Sequence, residues 1–264
     1  MSKLLIPAQR RDRIQEYLAV NKIARTADLC DLLEASEATV RRDLEWLEQE
    51  GYLERTHGGA ILSQRMTLEP GYQQRAEVYI EEKRSIGAAA ASLIQKDDVV
   101  FLNSGTTTTQ VIRQTRSDPS ISIYTNNLWG VMELGEPGFQ YYVVGGQFQP
   151  RSYSLAGRFA TENLGQVYAS KAILGADGIS LKHGCTVPSN EEAEIVRQMI
   201  RQTKGEIIVV ADHSKWGVVS NFQIAAIEEI SILITDTGFD PSAYESLESR
   251  GVRILVAAPS SVVT

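Results

Sequence analysis

A run of small and hydroxylated residues, Asn103-Ser-Gly-Thr-Thr-Thr-Thr109, follows a short apolar stretch and opens a helical pattern. At the start of a helix the backbone N–H groups lack partners and favour an anion, and hydroxyl groups add further donors. The run therefore suits a phosphate group. It is not a Walker A loop, because no Gly-Lys-Ser/Thr follows, and it lacks the later glycines of a dinucleotide-binding fingerprint. Alternatively, it is a hydroxyl-rich helix cap without a ligand.

Polar or glycine-rich residues follow four further predicted strands, namely Thr125-Asn126-Asn127, Gly145-Gly146, Asp177-Gly178 and Asp212-His-Ser-Lys215. In open α/β sheets, ligands bind at the carboxyl ends of the strands. If these ends converge, they place a phosphate loop, carboxylates and an ammonium group around one small polar ligand. Taken singly, each also fits a turn, a backbone bend or a solvated loop charge.

The same residues raise the question of catalysis. Sugar isomerase or deaminase chemistry needs a carboxylate or histidine base near the substrate, and Asp177, His183 and Glu192 are candidates. A hydrolase relay at Asp212-His213-Ser214 is not expected, because adjacent residues at a strand end point in alternate directions. No metal site is expected either, since His183 and Cys185 lack an evident third ligand.

Two adjacent arginines lie in a segment with helical spacing. The apolar residues at positions 40, 44 and 47 share one helix face, so the opposite face carries Ala38, Arg41, Arg42 and Glu45. An apolar face that anchors the helix while arginines project outward is typical of a recognition helix in the DNA major groove. The alternative is a solvated helix face with no partner.

The surrounding segments complete a winged helix-turn-helix over residues 1–62. A first amphipathic helix is predicted over 8–20, Thr26 is a candidate cap for a short second helix, and Ser36 caps the third, which ends near Gly51. Residues 52–62 then form two strand-like pieces around Gly58-Gly59, which predicts a hairpin wing. Arg55 and His57 lie at its tip.

Residues 63–71 end in Glu69-Pro70-Gly71 and are interpreted as a linker. Residues 72–264 form the second domain, which begins with a helix predicted over 72–94. Beyond it, near-continuous apolar strands alternate with helical segments, a pattern that indicates a mainly parallel sheet covered on both faces. The fold class is therefore α/β overall, with an N-terminal winged helix-turn-helix.

Composition excludes several classes of protein. The 264 residues are 43% hydrophobic and 22% charged, which is typical of a globular chain. The longest apolar stretches fall far short of the ~20 residues of a membrane helix, and the start lacks the apolar core of a signal peptide. Cys30 and Cys185 are too few for a disulfide framework. We therefore expect a cytoplasmic protein with reduced thiols.

The charge balance limits how DNA can be bound. The net charge is -7, and residues 1–62 carry nine Lys or Arg against eleven Asp or Glu. Affinity for DNA must therefore come from clustered residues and from two copies that cover two half-sites, so a homodimer or homotetramer is expected.

Several motifs resemble the DeoR family of bacterial sugar-metabolism regulators. The DNA-binding signature is carried by Arg10, Ile14, Leu18 and the run Ser36-Glu-Ala-Thr39-Val40-Arg41-Arg42-Asp43-Leu44, and Arg55-Thr-His57-Gly58-Gly59-Ala60 is similar to the family's wing. The resemblance implies a helix-turn-helix from Ala24 to Asp43. The expected DNA-binding residues are Thr26, Ser36, Ala38, Thr39, Arg41, Arg42, Arg55 and His57.

The resemblance extends to the second domain through the strand-end motifs above, through Gly175-Ala-Asp177-Gly178-Ile179 and through Ala211-Asp-His-Ser-Lys215-Trp216-Gly217. It implies a fold similar to ribose phosphate isomerase and glucosamine phosphate deaminase, used in this family to sense phosphorylated sugars. Ser104 to Thr108 would hold the phosphate. The expected effector-binding residues are Asn103, Ser104, Gly105, Thr106, Thr107, Thr108, Asn126, Gly145, Gly146, Asp177, Glu192 and Lys215.

The resemblance thus implies a transcriptional repressor of a carbohydrate operon that binds operator DNA, is released by a phosphorylated sugar and needs no cofactor. Two residues depart from the family pattern: Asn103 replaces a common Asp, and Asn127 stands where Ser is usual. Both bear on ligand choice. The alternatives are an isomerase or deaminase with an appended DNA-binding domain, and an interaction adaptor that would leave the polar strand ends unexplained.

Overall fold

The N-terminal part of the chain forms three helices and a small antiparallel sheet. The computed structural model describes residues 5–56, 58–62, 64–65 and 71–258. The elements of this part are α1 (Pro7–Asn21), β1 (Ile23–Arg25), α2 (Thr26–Leu33), α3 (Glu37–Gln49), β2 (Leu53–Arg55) and β3 (Gly59–Leu62). Strand β3 pairs with β1 and β2 in antiparallel register. The predicted winged helix-turn-helix is confirmed, with β2 and β3 as the wing.

Helix α3 is anchored by its apolar face, as its spacing predicts, and Val40, Leu44 and Leu47 are at most 2% exposed. The same face also buries Asp43. Its carboxylate accepts hydrogen bonds from Arg10 at 2.6 Å and from Arg11 at 3.2 Å. These two arginines therefore join α1 to α3.

The start of α2 differs from the prediction. The helix includes Thr26 as its first residue, and Arg25 is its N-cap, without a side-chain hydrogen bond. The backbone N–H of Thr26 donates to the carbonyl of Gly58 at 2.8 Å. The prediction that Thr26 caps α2 is therefore wrong, because the wing supplies the acceptor instead.

The helix predicted over 72–94 is in fact two helices, α4 (Tyr72–Glu77) and α5 (Ile80–Ser92), preceded by a two-residue strand β4 (Gln64–Arg65). Between the helices Tyr79 has φ of 53°, a left-handed conformation that non-glycine residues rarely adopt. The ammonium group of Lys83 donates to the carbonyls of Arg75 at 2.5 Å and Val78 at 2.7 Å. These bonds stabilise the bend, which apolar periodicity alone does not reveal.

The remaining described residues form an α/β domain. Its elements are β5 (Val99–Leu102), α6 (Thr106–Gln114), β6 (Ser122–Thr125), α7 (Leu128–Leu134), β7 (Gln140–Val143), β8 (Gln147–Gln149), β9 (Ser154–Ala156), α8 (Arg158–Leu164), β10 (Ala169–Gly175), β11 (Gly178–Ser180), β12 (Gly184–Val187), α9 (Asn190–Gln202), β13 (Thr203–Val210), β14 (Val218–Val219), β15 (Phe222–Ala225), β16 (Ile232–Asp236), α10 (Tyr244–Glu248) and β17 (Arg253–Ala257). Short 3-10 helices lie at His213–Lys215, Ile227–Glu229 and Pro241–Ala243. No helix in the described part of the chain has the length and apolar character needed to cross a membrane.

Seven strands form one sheet in the order β17-β16-β13-β10-β5-β6-β7. Every neighbouring pair in this sheet is parallel. One apolar cluster includes residues of α8, α9 and α10, and a second includes residues of α5 and α6. The predicted parallel sheet with helices on both faces is confirmed. The carboxyl ends of the neighbouring strands β13, β10, β5 and β6 lie at one edge of this sheet.

Three small sheets outside the main one are not expected from the sequence: two are antiparallel and one is a parallel pair. Strands β11, β12 and β15 form an antiparallel sheet, β8 pairs with β9, and β14 pairs in parallel with β4. These strands have two to four residues, too few for a clear alternation of apolar and polar side chains. The last pair joins the predicted linker to the C-terminal domain.

Candidate functional site

The loop between β5 and α6 is held from both sides by amide side chains. Asn103 accepts a hydrogen bond from the backbone N–H of Gly175 at 2.8 Å and donates to its carbonyl at 3.0 Å. The backbone N–H of Ser104 donates to the side-chain oxygen of Asn126 at 2.8 Å. Asn103 and Asn126 are 1% exposed, so both position the loop from behind instead of forming the inner surface of a site.

The hydroxyl groups of the loop have different partners. Thr108 and Thr109 donate to the carbonyl of Gly105, at 3.1 and 2.8 Å. Thr109 also bonds Tyr72 and Asn127 and is therefore structural. The hydroxyl oxygen of Ser104 is buried and has no hydrogen-bond partner among the residues that the structure describes. A ligand at this loop would supply one.

A cleft at the carboxyl ends of the strands collects most of the predicted effector residues. It is lined by Arg75, Ser104, Gly105, Thr106, Thr107, Thr108, Gly175, Ala176, Asp177, Glu192, Val210, Ala211 and Lys215. The hydroxyl loop, two carboxylates and Lys215 thus meet at one place, as the convergence of strand ends predicts. Gly145 and Gly146 are exposed and do not line this cleft.

Arg75 was not among the residues predicted from sequence. Its guanidinium donates to the carboxylate of Asp177 at 3.0 Å, and their side chains are 13% and 7% exposed. Arg75 reaches the cleft because α4 ends at Glu77 and Lys83 holds its last carbonyls, a tertiary feature without a sequence signal. The cleft therefore contains two cations, Arg75 and Lys215, and two anions, Asp177 and Glu192. An anionic ligand could replace a carboxylate as the partner of a cation.

The volume of the cleft is about 30 Å³. Such a cavity has room for little more than a few water molecules. A sugar phosphate is several times larger, so its entry requires the surrounding side chains to move. Arg75 and Asp177 both line the cleft, so an entering anion would compete with Asp177 for the guanidinium of Arg75.

Lys83 lies next to this cleft and is 3% exposed. Burial lowers the pKa of Lys83 to about 8, although the charge of Asp212 opposes the shift. Its hydrogen bonds to Arg75 and Val78 place it under the backbone of α4. Lys83 therefore positions Arg75 and does not itself line the cleft.

The residues of the Asp212-His213-Ser214 run do not form a relay. His213 bonds Asp236 at 2.8 Å, while the hydroxyl of Ser214 bonds Asp212. The ring of His213 also packs on Tyr79, with centroids 4.7 Å apart. These contacts order the loop that carries Lys215. Within the described ranges, no three His, Cys, Asp or Glu side chains are grouped as metal ligands.

Some of the predicted DNA-binding residues are exposed on α3, and some line a groove that the C-terminal domain partly covers. Ala38, Arg41 and Arg42 are exposed on α3, and Ser36 bonds Thr39 at 2.9 Å at its start. Arg41 pairs with Glu37 at 2.6 Å. Thr26, Arg41 and Arg55 line a groove of about 390 Å³ whose other side is formed by the C-terminal domain. His57 lies outside the described residues.

Models of two protein families match the chain. The DeoR-like helix-turn-helix domain matches residues 10–65, and the DeoR C-terminal sensor domain matches residues 79–237. The second match alone spans more than half of the chain and includes the loop after β5, Asp177, Glu192 and Lys215. The first includes α3 and the wing. The two matches together define a DNA-binding transcriptional regulator with a sensor domain.

Similar proteins with assigned names include the HTH-type transcriptional regulator GlpR of Haloferax volcanii, which is 34% identical over 95% of this chain and 98% of its own. The HTH-type transcriptional repressor GlcR of Bacillus subtilis is 36% identical over 94% of this chain and 95% of its own. A putative aga operon transcriptional repressor of Escherichia coli O157:H7 is 31% identical over 94% and 93%. The chain belongs to the DeoR family of transcriptional regulators.

Solved structures with a related fold are more distant. Ribose 5-phosphate isomerase A from Neisseria gonorrhoeae has a TM-score of 0.38 and 14% identity, over 53% of this chain and 54% of that one. The eIF2B beta subunit from Chaetomium thermophilum has a TM-score of 0.41 and 12% identity, over 85% and 63%. At these TM-scores the likeness supports no assignment of function.

Proposed function

We propose that this protein is a repressor of a carbohydrate-catabolic operon and that a phosphorylated sugar releases it from operator DNA. The observation that carries the proposal is the cleft, which joins the start of α6 to Arg75, Lys215, Asp177 and Glu192. Three relatives that cover nearly the whole chain are named as transcriptional regulators or repressors. We propose residues 1–62 as the DNA-binding domain, 63–71 as the linker and 72–264 as the sensor.

The chemistry of the cleft favours a small ligand with one phosphate. The N-terminus of α6 presents backbone N–H groups, and the buried hydroxyl of Ser104 adds a donor. Arg75 and Lys215 supply positive charge. Asp177 and Glu192 can accept hydrogen bonds from sugar hydroxyls, because an ionised carboxylate accepts hydrogen bonds and donates none. Asn103 bonds Gly175 behind the loop, and Asn127 donates to the hydroxyl of Thr109, so the two departures from the family pattern bear on how the loop is held.

We propose that α3 enters the major groove. Arg41 and Arg42 are exposed and can bond guanine edges or phosphates, while Ala38 and Thr39 lie at the N-terminal half that approaches the bases. Ser36 is the N-cap of α3 and Thr26 is the first residue of α2, and their hydroxyl groups suit phosphate contacts. Arg55 and His57 would contact the DNA through the wing.

A second copy of the chain completes the proposed function. Each recognition helix reads one half-site, and a twofold operator is read by two such helices one helical turn apart. We therefore propose a homodimer or homotetramer. Light scattering after gel filtration measures the mass directly, and a monomer at concentrations that saturate the operator would contradict this part of the proposal.

The experiment begins with a duplex that the protein itself selects from a random-sequence pool. Binding is measured by fluorescence anisotropy while glucose 6-phosphate, fructose 6-phosphate, fructose 1-phosphate, ribose 5-phosphate or glycerol 3-phosphate is added. The unphosphorylated compounds are the matched controls. We expect one phosphorylated compound to release the DNA and to stabilise the protein by about 2.7 kcal/mol at 100 times its dissociation constant. Release by none of them, or turnover of the ligand, would contradict the proposal.

A further inference from the structure

The tip of the wing packs against the C-terminal domain. The hydroxyl oxygens of Thr56 and Ser242 are 3.5 Å apart, and Thr56 follows β2 directly. A Cβ built on Gly58 would lie 3.6 Å from the Cβ of Ser242. The turn that a wing offers to DNA is therefore in contact with another part of the same chain.

The base of the wing is buried in the same contact. Glu54 in β2 is 6% exposed and lies beside Ser180, Leu181 and Lys182, and among the described residues its Oε1 atom has no hydrogen-bond partner. Burial raises the pKa of Glu54 above its ordinary value, while Ser180 and the nearby His183 oppose the rise. A carboxyl group on an isolated wing would be hydrated, so its burial reports a specific interface between the domains.

A third contact lies on the other wing strand. Ile61 in β3 is 3% exposed and belongs to the apolar cluster of the C-terminal domain. Gly217 allows this close packing, because a Cβ there would lie 2.2 Å from the Cγ2 of Ile61. Just beyond the wing, β4 pairs with β14. Both wing strands and the segment that follows them are thus held by the C-terminal domain.

The segments that hold the wing are continuous with the cleft. Asp177 lines the cleft and is followed at once by β11, which ends at Ser180 beside Glu54. Lys215 lines the cleft and is followed by Gly217 and β14. Two short stretches of chain therefore connect the site of the proposed ligand to the base and the far side of the wing.

The docked position also limits access to α3. Arg41 and Arg55 share their groove with Leu181 and Arg250 of the C-terminal domain. The groove of about 390 Å³ is bounded on one side by the C-terminal domain, so the part of α3 and of the wing that lines it is not open to a duplex. A duplex cannot enter this groove while the wing tip lies on Ser242.

We propose that docking of the wing on the C-terminal domain is an autoinhibitory contact, which must open before the wing reaches DNA and which the segments leaving the cleft control. This proposal depends only on DNA binding, which is the defining property of the family. Its test uses no sugar phosphate. Failure of the ligand assignment and failure of the docking proposal are thus separate results.

The test is a reversible cross-link between Gly58→Cys and Ser242→Cys in a Cys30→Ser background. The Cβ separation of 3.6 Å lies within the range of disulfides, and Cys185 is fully buried and is left in place. The probe is the duplex selected from the random-sequence pool. We expect the oxidised protein to bind it about 10-fold or more weakly than the reduced protein, with affinity restored by dithiothreitol.

Each single cysteine variant is a control and should bind the duplex as the Cys30→Ser parent does in both redox states. Oxidised protein that is fully cross-linked by mass spectrometry and still binds DNA with unchanged affinity would overturn the proposal. Failure of the bond to form in the folded protein would overturn it too, because the two positions would not be adjacent.

A second variant tests the contact in the opposite direction. Ser242→Trp places a large side chain where the Cβ of residue 58 would lie, so it should push the wing away. We expect tighter binding to the same duplex, with Ser249→Trp, on the same domain, as the matched control. A folded Ser242→Trp protein with the parent's affinity would show that docking does not oppose DNA binding.

Discussion

The guanidinium of Arg75 donates to the carboxylate of Asp177 at 3.0 Å, across 102 positions of sequence. This ion pair joins α4, the first helix after the proposed linker, to the strand end of β10. Both side chains are mostly buried. Under the proposed function, a ligand that breaks this partly buried pair would link ligand binding to the position of the segment beside the DNA-binding domain.

Replacing Arg75 tests its role in anion binding. We expect Arg75→Gln to weaken binding of the effective sugar phosphate by about 10- to 150-fold, because hydrogen bonds to charged groups contribute roughly 1.5 to 3 kcal/mol. Calorimetry measures the affinity. Arg84→Gln is the control, since Arg84 is exposed on α5 and pairs with Glu81. Equal ligand affinity in Arg75→Gln and the parent would remove Arg75 from the site.

Lys215 separates ligand binding from DNA binding. Lys215→Ala removes a cation from the cleft while α3 stays unchanged, so the variant should hold the duplex normally and resist release by the sugar phosphate. A coupling of about 1 to 3 kcal/mol corresponds to a change in DNA affinity of roughly 5- to 150-fold. Lys96→Ala, at an exposed loop, is the control. Normal release of Lys215→Ala from the duplex would show that the cleft is not the effector site.

Arg42 distinguishes base contacts from phosphate contacts. If it reads a base, Arg42→Ala should weaken binding to the selected duplex by ~1 to 3 kcal/mol and relax sequence preference. If it contacts a phosphate, affinity should fall equally on all duplexes and the salt dependence should flatten. Arg158→Ala, whose side chain is 86% exposed on the C-terminal domain, is the control. Unchanged anisotropy titrations would place Arg42 outside the interface.

Asp43 is expected to stabilise the DNA-binding domain without touching DNA. Asp43→Asn leaves Arg10 and Arg11 without their shared carboxylate at a buried position, which should lower the free energy of unfolding by roughly 1 to 3 kcal/mol. Urea unfolding measures the change. Glu45→Gln, exposed on the same helix, should have little effect. Equal loss in both variants would indicate a general helix effect and not the buried pair.

The lowered pKa of Lys83 predicts how the free energy of unfolding depends on pH. Burial lowers its pKa from 10.5 to about 8 in the folded protein. Between these values the unfolded chain binds more protons, so the free energy of unfolding rises with pH over this interval. Relative to Lys83→Met, the parent should gain about 1 to 2 kcal/mol between pH 8 and pH 10. Lys96→Met serves as an exposed control, and parallel stability profiles for parent and Lys83→Met would contradict the prediction.

Features that repeat locally along the chain could be predicted from the sequence. Val40, Leu44 and Leu47 recur at helical spacing, and this orients Arg41 and Arg42 outward before any tertiary contact is known. The alternation of apolar strands and helices determined the parallel sheet. Parallel strands place their carboxyl ends on one edge, so the gathering of Ser104, Asp177 and Lys215 also followed from the order of the motifs.

Which other residues join these sites depends on contacts between distant parts of the folded chain. Arg75 enters the cleft because the helix breaks at Tyr79 and Lys83 takes up the carbonyls of α4, and Asp43 is buried because two arginines of α1 meet it. Gly145 and Gly146 lie away from the cleft although they end a strand. Apolar periodicity reports which face of an element is buried, whereas these outcomes depend on single polar contacts between residues far apart in sequence, which leave no local period.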